Sequence, residues 1–429
     1  MRVALISSEY AGLAGSGGIG SYFANLVRGL SERGCEVEVF TSGNQGDLPE
    51  RGGVLFHHLG DPQPPLFAYR VVEAFRKAHA DRPFDVLEYG ELKAEGLWVA
   101  RAFPEVARVV RLHSPSVILD RYLDFAPSPR QRAVAILNQI RCALGALRRR
   151  LPLKTIQLEP FHFPWLAGRD CVEREAASEA DTVVVMSEEM RRFAEGHWWI
   201  KPKAIRKVPN PLFLDSDEGK KTVPNPNLKL GFLGRLEPRK GVRELALALN
   251  EVLPEFPDWM VEFAGRSMPS CISGVDPAQV AREILGENLK QVRFVNNLPP
   301  AAVSEWFSEV DVFAFPSLWD NFPYVILEAM ASGRPIVATR TGAVPEMLGD
   351  TAEIVKPGDV RGLAEALRKL MADKDLRVNL GESAQQRFEE RFHPDRVMGE
   401  ILVVYGEAVL RAEVRRSKIG DQYEDDDVF

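Results

Sequence analysis

The sequence predicts an α/β protein built from two doubly wound parallel-sheet domains that face each other across a cleft. Three observations lead there. Short apolar runs alternate with stretches of helical periodicity through the first half of the 429 residues. A segment rich in Pro, Asn and charge (PNPLFLDSDEGKKTVPNPN) breaks that rhythm within a linker at 209–229. The alternation then starts again. Strands alternating with helices imply βαβ units, and a chain of this length exceeds one small core.

Taken in order, Val3–Ser7 is a short apolar run that reads as the first strand. Tyr22–Arg33 carries Phe23, Leu26, Val27 and Leu30 at helical spacing. Gly34 sits where a helix stops, and Glu36–Thr41 (EVEVFT) alternates as a strand does. Asp85–Tyr89, Val106–Leu112 and Asp181–Met186 are further strands, which makes residues 1–208 the N-terminal domain. Beyond the linker, Lys229–Leu233, Met260–Ala264, Gln291–Val295, Asp311–Pro316 and Pro335–Ala338 are the strands of a C-terminal domain over 230–400. Residues 401–412 are expected to form a helix returning to the N-terminal domain, and 413–429, ending DQYEDDDVF, a disordered acidic tail. No internal repeat is present.

Arg130–Leu151 is an amphipathic candidate helix, with Ala133, Leu137, Ile140, Leu144, Leu147 and Leu151 on one seam and Arg141 and Arg148–Arg150 beside it. It reads as a helix packed on its own domain in preference to one lying on a membrane. The aromatic clusters Phe161-His162-Phe163-Pro164-Trp165 and Trp198-Trp199 either stack on a ligand or fill core.

Composition removes several classes. With 54 basic and 61 acidic residues the net charge is −7, so there is no general nucleic-acid footprint. Cys35, Cys142, Cys171 and Cys271 form no CxxC pair, which argues against a disulfide framework or a zinc site and fits a reducing compartment. The apolar run at the start is too short for a signal peptide, and no stretch approaches the ~18 apolar residues of a membrane span. The expectation is a cytoplasmic protein.

Residues 15–20 (GSGGIG) satisfy G-x-G-x-x-G, with Glu36 or Glu38 near the place of a ribose-binding acid. In the dinucleotide fingerprint, however, the first glycine follows the strand almost at once, and here a long loop lies between Ser7 and Gly15. That loop instead brings Gly17 and Gly18 to a helix N-terminus, where backbone N–H groups free of side-chain bulk can meet a phosphate. A nicotinamide oxidoreductase rests on this loop alone.

The second half carries three segments that each follow a strand. In Gly-Arg-Leu-Glu-Pro-Arg-Lys-Gly (234–241), Arg235 and Lys240 emerge at a strand's carboxyl end, and two such cations suit a diphosphate. In the run from Pro316 to Ala329 (PSLWDNFPYVILEA), Asp320 and Glu328 frame a loop-to-helix turn. A carboxylate at Glu328 can accept two vicinal ribose hydroxyls. The third segment, Gly342-Ala343-Val344-Pro345-Glu346, is placed to close the wall of the same pocket.

Together these residues resemble the retaining GT-B glycosyltransferases of the large group 1 (GT4-type) family, over about residues 1–405. The E-x7-E signature stands here as Asp320-x7-Glu328, the G-R-x4-K-G segment as Gly234 to Gly241, and the V-P-N-P stretch as Val208–Pro211. The resemblance implies a GT-B fold of two Rossmann-like domains, a nucleoside-diphosphate sugar as donor and a hydroxyl-bearing acceptor. It implies that Arg235 and Lys240 neutralise the donor diphosphate. Glu328 then holds the ribose, and Tyr324 and Val325 offer backbone N–H groups to the phosphates. His113, in VVRLHSP, matches a histidine that reaches the donor sugar near its 6-position, and Leu298 matches a position near the nucleobase. Asp320 stands where the family's Glu contacts the transferred sugar, and Asn321, Phe322 and Pro323 complete the donor-binding loop in place of the usual Gly-Phe-Gly. The shorter carboxylate and the stiffer loop leave the sugar open. The family transfers sugar with retention, and neither a metal nor a cofactor is expected. A GT-B epimerase or phosphorylase and a non-catalytic nucleotide-sugar-binding protein are the alternatives. The base, the sugar, the acceptor and the oligomeric state stay open.

Overall fold

The computed structural model describes residues 1–13, 17–43, 53–60, 66–122, 164–214, 228–269, 274–296, 298 and 300–426. Two parallel sheets organise the chain. The first contains seven strands: β1 (Arg2–Ile6), β2 (Glu36–Thr41), β3 (Val54–His58), β4 (Val86–Gly90), β5 (Ala107–Arg111), β6 (Thr182–Val185) and β7 (Ile205–Lys207), in the order β3-β2-β1-β4-β5-β6-β7. The second contains β8 (Leu228–Leu233), β9 (Trp259–Ala264), β10 (Val292–Val295), β11 (Val312–Phe315), β12 (Ile336–Thr339) and β13 (Glu353–Val355), in the order β10-β9-β8-β11-β12-β13. Both orders reverse once, between β1 and β4 and between β8 and β11. Loops diverge at that switch point and leave a crevice at the carboxyl ends of the strands.

The central strands form for a simple reason. Val3, Ala4, Leu5 and Ile6 of β1 are fully buried on both faces, as are Val312, Phe313 and Ala314 of β11. Continuous apolar runs suit a parallel sheet covered by helices on each side. The helix Gly18–Glu32 turns Tyr22, Phe23, Leu26, Val27 and Leu30 onto the sheet, and Gly34 beyond it takes φ +72°. Three strands have no such signal. β3, β7 and β13 are edge strands, partly exposed or only three residues long, and none carries an apolar run longer than the Val54–Phe56 of β3.

The C-terminus differs from the sequence expectation of a helix over 401–412 and a disordered tail over 413–429. A single helix spans Pro394–Asp426. Two arginines one turn apart pin it to the N-terminal sheet. Arg411 donates to the Asp181 carbonyl at 3.1 Å and to Thr182 Oγ1 at 2.9 Å. Arg415 grips the Asp181 carboxylate at 2.9 and 2.8 Å. No Gly or Pro interrupts Glu413–Ile419, so nothing stops the helix at 412. The Arg130–Leu151 segment, the Phe161–Phe163 cluster, Cys142 and Cys271 lie outside the described residues. Trp198 is core, its Nε1 donating to Asp170 at 2.8 Å, while Trp199 stays exposed.

Candidate functional site

A cavity of about 640 Å³ lies between the two sheets, lined by loops that follow the carboxyl ends of β1, β4, β5, β8 and β11. It brings together Gly17, Gly18, His113, Arg235, Lys240, Asp320, Asn321, Phe322, Pro323, Tyr324, Val325 and Glu328. Leu298 is not among the lining residues; it packs against the hydrophobic core after β10.

The C-terminal wall is a compact charge cluster. Lys240 Nζ donates to the Asp320 carboxylate, and Arg239 approaches the same oxygen at 3.4 Å. Arg239 also pairs with Glu237 at 2.6 Å and donates to the Trp319 carbonyl at 3.0 Å. Burial works against the Asp320 carboxylate, but the Lys240 and Arg239 charges overcome it and hold the group below the usual carboxylate range. Burial in turn pushes the Lys240 ammonium down against the pull of Asp320. Arg235 is the accessible cation, with about half its side chain exposed and Glu237 at 3.6 Å. Sequence reasoning missed Arg239 and Glu237 although both stand in the GRLEPRKG segment; the pattern counts them as spacer.

Two glycines make this wall possible. Gly241, at φ +69°, would place a Cβ 2.0 Å from the Pro316 carbonyl oxygen. Gly342, at φ +51°, would place one 1.8 Å from that of Asp320. Only glycine lets the strand ends pack so closely behind the loop. Gly342–Glu346 does not close the cleft as the sequence reading had it. Its Glu346 turns instead to the domain seam, pairs with Lys207 at 2.9 Å and accepts the Glu188 N–H at 2.7 Å. Lys207, two residues beyond β6's neighbour Ile205 on the facing domain, draws the carboxylate away from the cavity.

Above the charge cluster, the helix Tyr324–Ala331 starts at Pro323 with no side-chain cap. Its first N–H groups carry the positive end of the helix dipole, and Tyr324 and Val325 line the cavity.

The N-terminal wall is built on His113, which is 5% exposed and lines the cavity. Its ring meets Tyr22 edge-on at 4.9 Å, and its Nε2 has no hydrogen-bond partner among the described residues. Burial, with the nearby Arg111 charge, pushes its pKa down to about 3, so the imidazole is neutral. Gly17 caps the helix Gly18–Glu32, but its N–H is taken by Glu9 Oε2 at 3.3 Å. A carboxylate thus sits where the sequence reading expected an open phosphate cradle. Glu9, Tyr122 and Asn210 also line the cleft; of these only Asn210 stands in a motif, the V-P-N-P stretch.

The loop at 317–323 crosses the cleft. Asn321 Nδ2 donates to the carbonyls of Leu112, at 2.9 Å, and His113. Trp319 Nε1 reaches Glu189 at 3.3 Å, and Tyr324 OH reaches the Pro211 carbonyl at 3.2 Å.

Among the described residues, no group of three or more His, Cys, Asp or Glu side chains is placed to hold a metal ion. No helix there is long and apolar enough to cross a membrane.

The chain matches two family models in succession. "Glycosyl transferase 4-like domain" covers residues 17–211 and "Glycosyl transferases group 1" covers 215–387. It is 28% identical over 407 residues to a D-inositol 3-phosphate glycosyltransferase of Corynebacterium jeikeium, covering 90% of this chain and 91% of that one. It is 25% identical over 444 residues to an MMP alpha-(1->4)-mannosyltransferase of Mycolicibacterium hassiacum, covering 96% and 99%. Sucrose-phosphate synthase from Thermosynechococcus elongatus shares the fold at TM-score 0.70 and 21% identity, over 95% of this chain and 98% of that one. HepE from Anabaena, solved with UDP, does so at 0.67 and 18%, over 95% and 100%. Two facing parallel-sheet domains, a cleft with clustered cations on its C-terminal wall and two consecutive matches covering most of the chain lead to one conclusion: the protein belongs to the group 1 glycosyltransferases, GT-B enzymes that use sugar-nucleotide donors.

Proposed function

We propose that the protein transfers a sugar from a nucleoside-diphosphate donor to a hydroxyl acceptor with retention at the anomeric carbon and without a metal. The observation that carries this reading is the pairing of two walls in one cleft. Arg235, Lys240 and the uncapped start of the Tyr324–Ala331 helix face His113, whose Nε2 has no partner among the described residues.

The roles follow from charge. Breaking the bond between the sugar and the diphosphate leaves negative charge on the departing phosphate. A fixed cation at ~4 Å contributes about 4 kcal/mol at an effective dielectric of 20, and Arg235 and Lys240 both line the cleft. Tyr324 and Val325 N–H groups add donors to the same oxygens. Glu328 accepts the ribose hydroxyls, and the Asn321-Phe322-Pro323 loop shapes the sugar pocket. A neutral His113 takes a hydrogen bond from a sugar hydroxyl or gives one to it without adding charge.

For retention, the acceptor hydroxyl approaches on the face the diphosphate leaves. Its oxygen bonds to the anomeric carbon, its proton passes to the departing phosphate oxygen, and the electron pair of the broken C–O bond stays with the diphosphate. Asp320 is bound to Lys240 and Arg239, which supports a counter-ion role over that of a nucleophile. Glu9, Ser114, Tyr122 and Asn210 line the N-terminal wall and suit an acceptor rich in hydroxyls. The D-inositol 3-phosphate in one relative's name agrees with such an acceptor.

The test is a thermal-shift panel of UDP, GDP, ADP, CMP and dTDP with their sugars, followed by anomer analysis of the product by NMR and turnover in EDTA. One nucleoside diphosphate is expected to raise the melting temperature by mass action. The product is expected to keep the donor's anomeric configuration, with turnover unaffected by EDTA. No shift with any nucleotide refutes the reading, as does full activity in Lys240→Ala and Glu328→Ala proteins.

A further inference from the structure

We propose that Glu91 and Glu173 are positioning residues of the transfer reaction, two buried carboxylates that clasp the main chain of the His113–Ser116 turn and hold His113 against the cleft. The inference deepens the reading above and rests on it for its kinetic arm.

Beyond β5 the chain leaves the sheet, and its N–H groups lose their ladder partners while still buried. Such groups need acceptors. Glu91 supplies two: Oε2 accepts from His113 N at 2.7 Å and Oε1 from Ser114 N at 2.6 Å. Glu173, on the helix Pro164–Ser178, accepts from Ser116 N at 2.9 Å, from Ser116 Oγ and from Lys93 N at 3.4 Å. Both carboxylates are fully buried, and among the described residues neither has an ion-pair partner. Neither lines the cavity, so each acts through the turn it holds.

The surrounding backbone is bent to allow this. Lys93 and Ala94 take φ +62° and +49°, a left-handed conformation that costs on the order of 1–3 kcal/mol per non-glycine residue and persists where neighbours over-determine it. Gly90, next to Glu91, lies close to the ring: an added Cβ there would stand 3.0 Å from His113 Cδ2. A serine or asparagine satisfies turn N–H groups at lower desolvation cost than a carboxylate. Two unpaired carboxylates aimed at the segment that carries His113 are a costly way to cap a turn, and a rigid one. Displacing a reacting-site group by about 1 Å costs on the order of a hundredfold in rate.

The test uses full-length Glu91→Gln, Glu91→Asp and Glu173→Gln proteins. Amide hydrogen exchange without ligand is read at 113, 114 and 116, and steady-state turnover is read with UDP-glucose and GDP-mannose. Glu91→Gln is expected to speed exchange at 113 and 114 at least tenfold and to lower kcat ten- to a hundredfold with donor KM within threefold. Glu91→Asp, which keeps the carboxyl group on a shorter stem, is expected to fall between it and the wild type. Wild-type exchange at these amides overturns the proposal. So does a loss of turnover that tracks only the folded fraction. If wild type turns over neither donor, the functional reading is in doubt, while the exchange arm still decides the clasp. If Glu91→Gln does not fold, Glu91→Asp and Glu173→Gln decide it by the same two measurements.

Discussion

The counter-ion role of Asp320 makes a prediction with a sign of its own. In the free protein Lys240 and Arg239 share the Asp320 carboxylate, with the paired side chains only 14% and 13% exposed. Asp320→Asn removes the charge and leaves two cations side by side. Removing one partner of a buried pair costs about 3–5 kcal/mol. Arg239 keeps Glu237 at 2.6 Å, so about 3 kcal/mol is expected, and at about 2–4 °C per kcal/mol for a domain of this size the melting temperature falls by about 6–12 °C. A diphosphate bound beside Lys240 supplies the lost charge, and in the variant it no longer competes with Asp320. The cognate nucleoside diphosphate is therefore expected to bind Asp320→Asn about tenfold more tightly than wild type, about 1.4 kcal/mol, while sugar transfer falls. Differential scanning calorimetry with and without ligand, and isothermal titration, measure both. If the variant melts within about 2 °C of wild type, or binds the nucleotide more weakly, the counter-ion assignment is wrong.

Three other substitutions or conditions follow from the same geometry. Gly342→Ala places a Cβ 1.8 Å from the Asp320 carbonyl oxygen at a positive φ, so it is expected to displace the loop and weaken nucleotide binding at least tenfold in a titration. Gly18 lines the cleft and an added Cβ meets nothing within 4 Å; Gly18→Val is expected to melt as wild type does and to lose turnover at least tenfold. Burial, with the nearby Glu173 charge, raises Glu91 to about 8; burial, with Asp170 nearby, raises Glu173 to about 7. A carboxylate whose folded pKa is raised gives stability that is lost as pH climbs through that pKa. The melting temperature is therefore expected to fall as pH rises from about 4.5 to about 8, opposed below about pH 6.5 by the depressed His113, and to fall less in Glu173→Gln.

What was legible in the sequence divides along physical lines. Central strands such as β1 and β11 announce themselves because burial on both faces demands an unbroken apolar run. Edge strands β3, β7 and β13 do not, since half their surface meets solvent. The same holds at the site. Arg235, Lys240 and Glu328 could be read from their spacing after strands, because a strand's carboxyl end delivers its next residues to the crevice wherever the rest of the chain goes. The partner that Lys240 finds could not be read. Asp320 is 80 residues away and meets it only because Gly241 and Gly342 let the loops touch. Glu346 follows a strand as well, yet Lys207 of the facing domain takes its carboxylate. Motif spacing carries no information about that competitor. Glu91 and Glu173 were missed for a related reason: they touch the backbone of the site, and a backbone leaves no residue signature.

Asp320 and Asn321 show how the two walls are joined. They are adjacent in the chain, but Asp320 faces the cations of its own domain while the Asn321 amide donates to Leu112 and His113 carbonyls across the cleft. The His113 peptide is therefore held from both sides, its N–H by Glu91 and its carbonyl by Asn321. Behind it, Glu88 accepts from Tyr22 and from Tyr405 of the long C-terminal helix, and Arg111 reaches from Glu88 to the Val208 carbonyl at 3.1 Å and Asn210 at 3.2 Å on the connecting segment. These charges are fully buried, where a broken bond is costly. A rotation of one domain against the other must either break the Asn321 bonds or carry His113 with it. The Asp320 loop and the His113 peptide are thus tied across the cleft, because two neighbouring residues of a single loop belong to different walls.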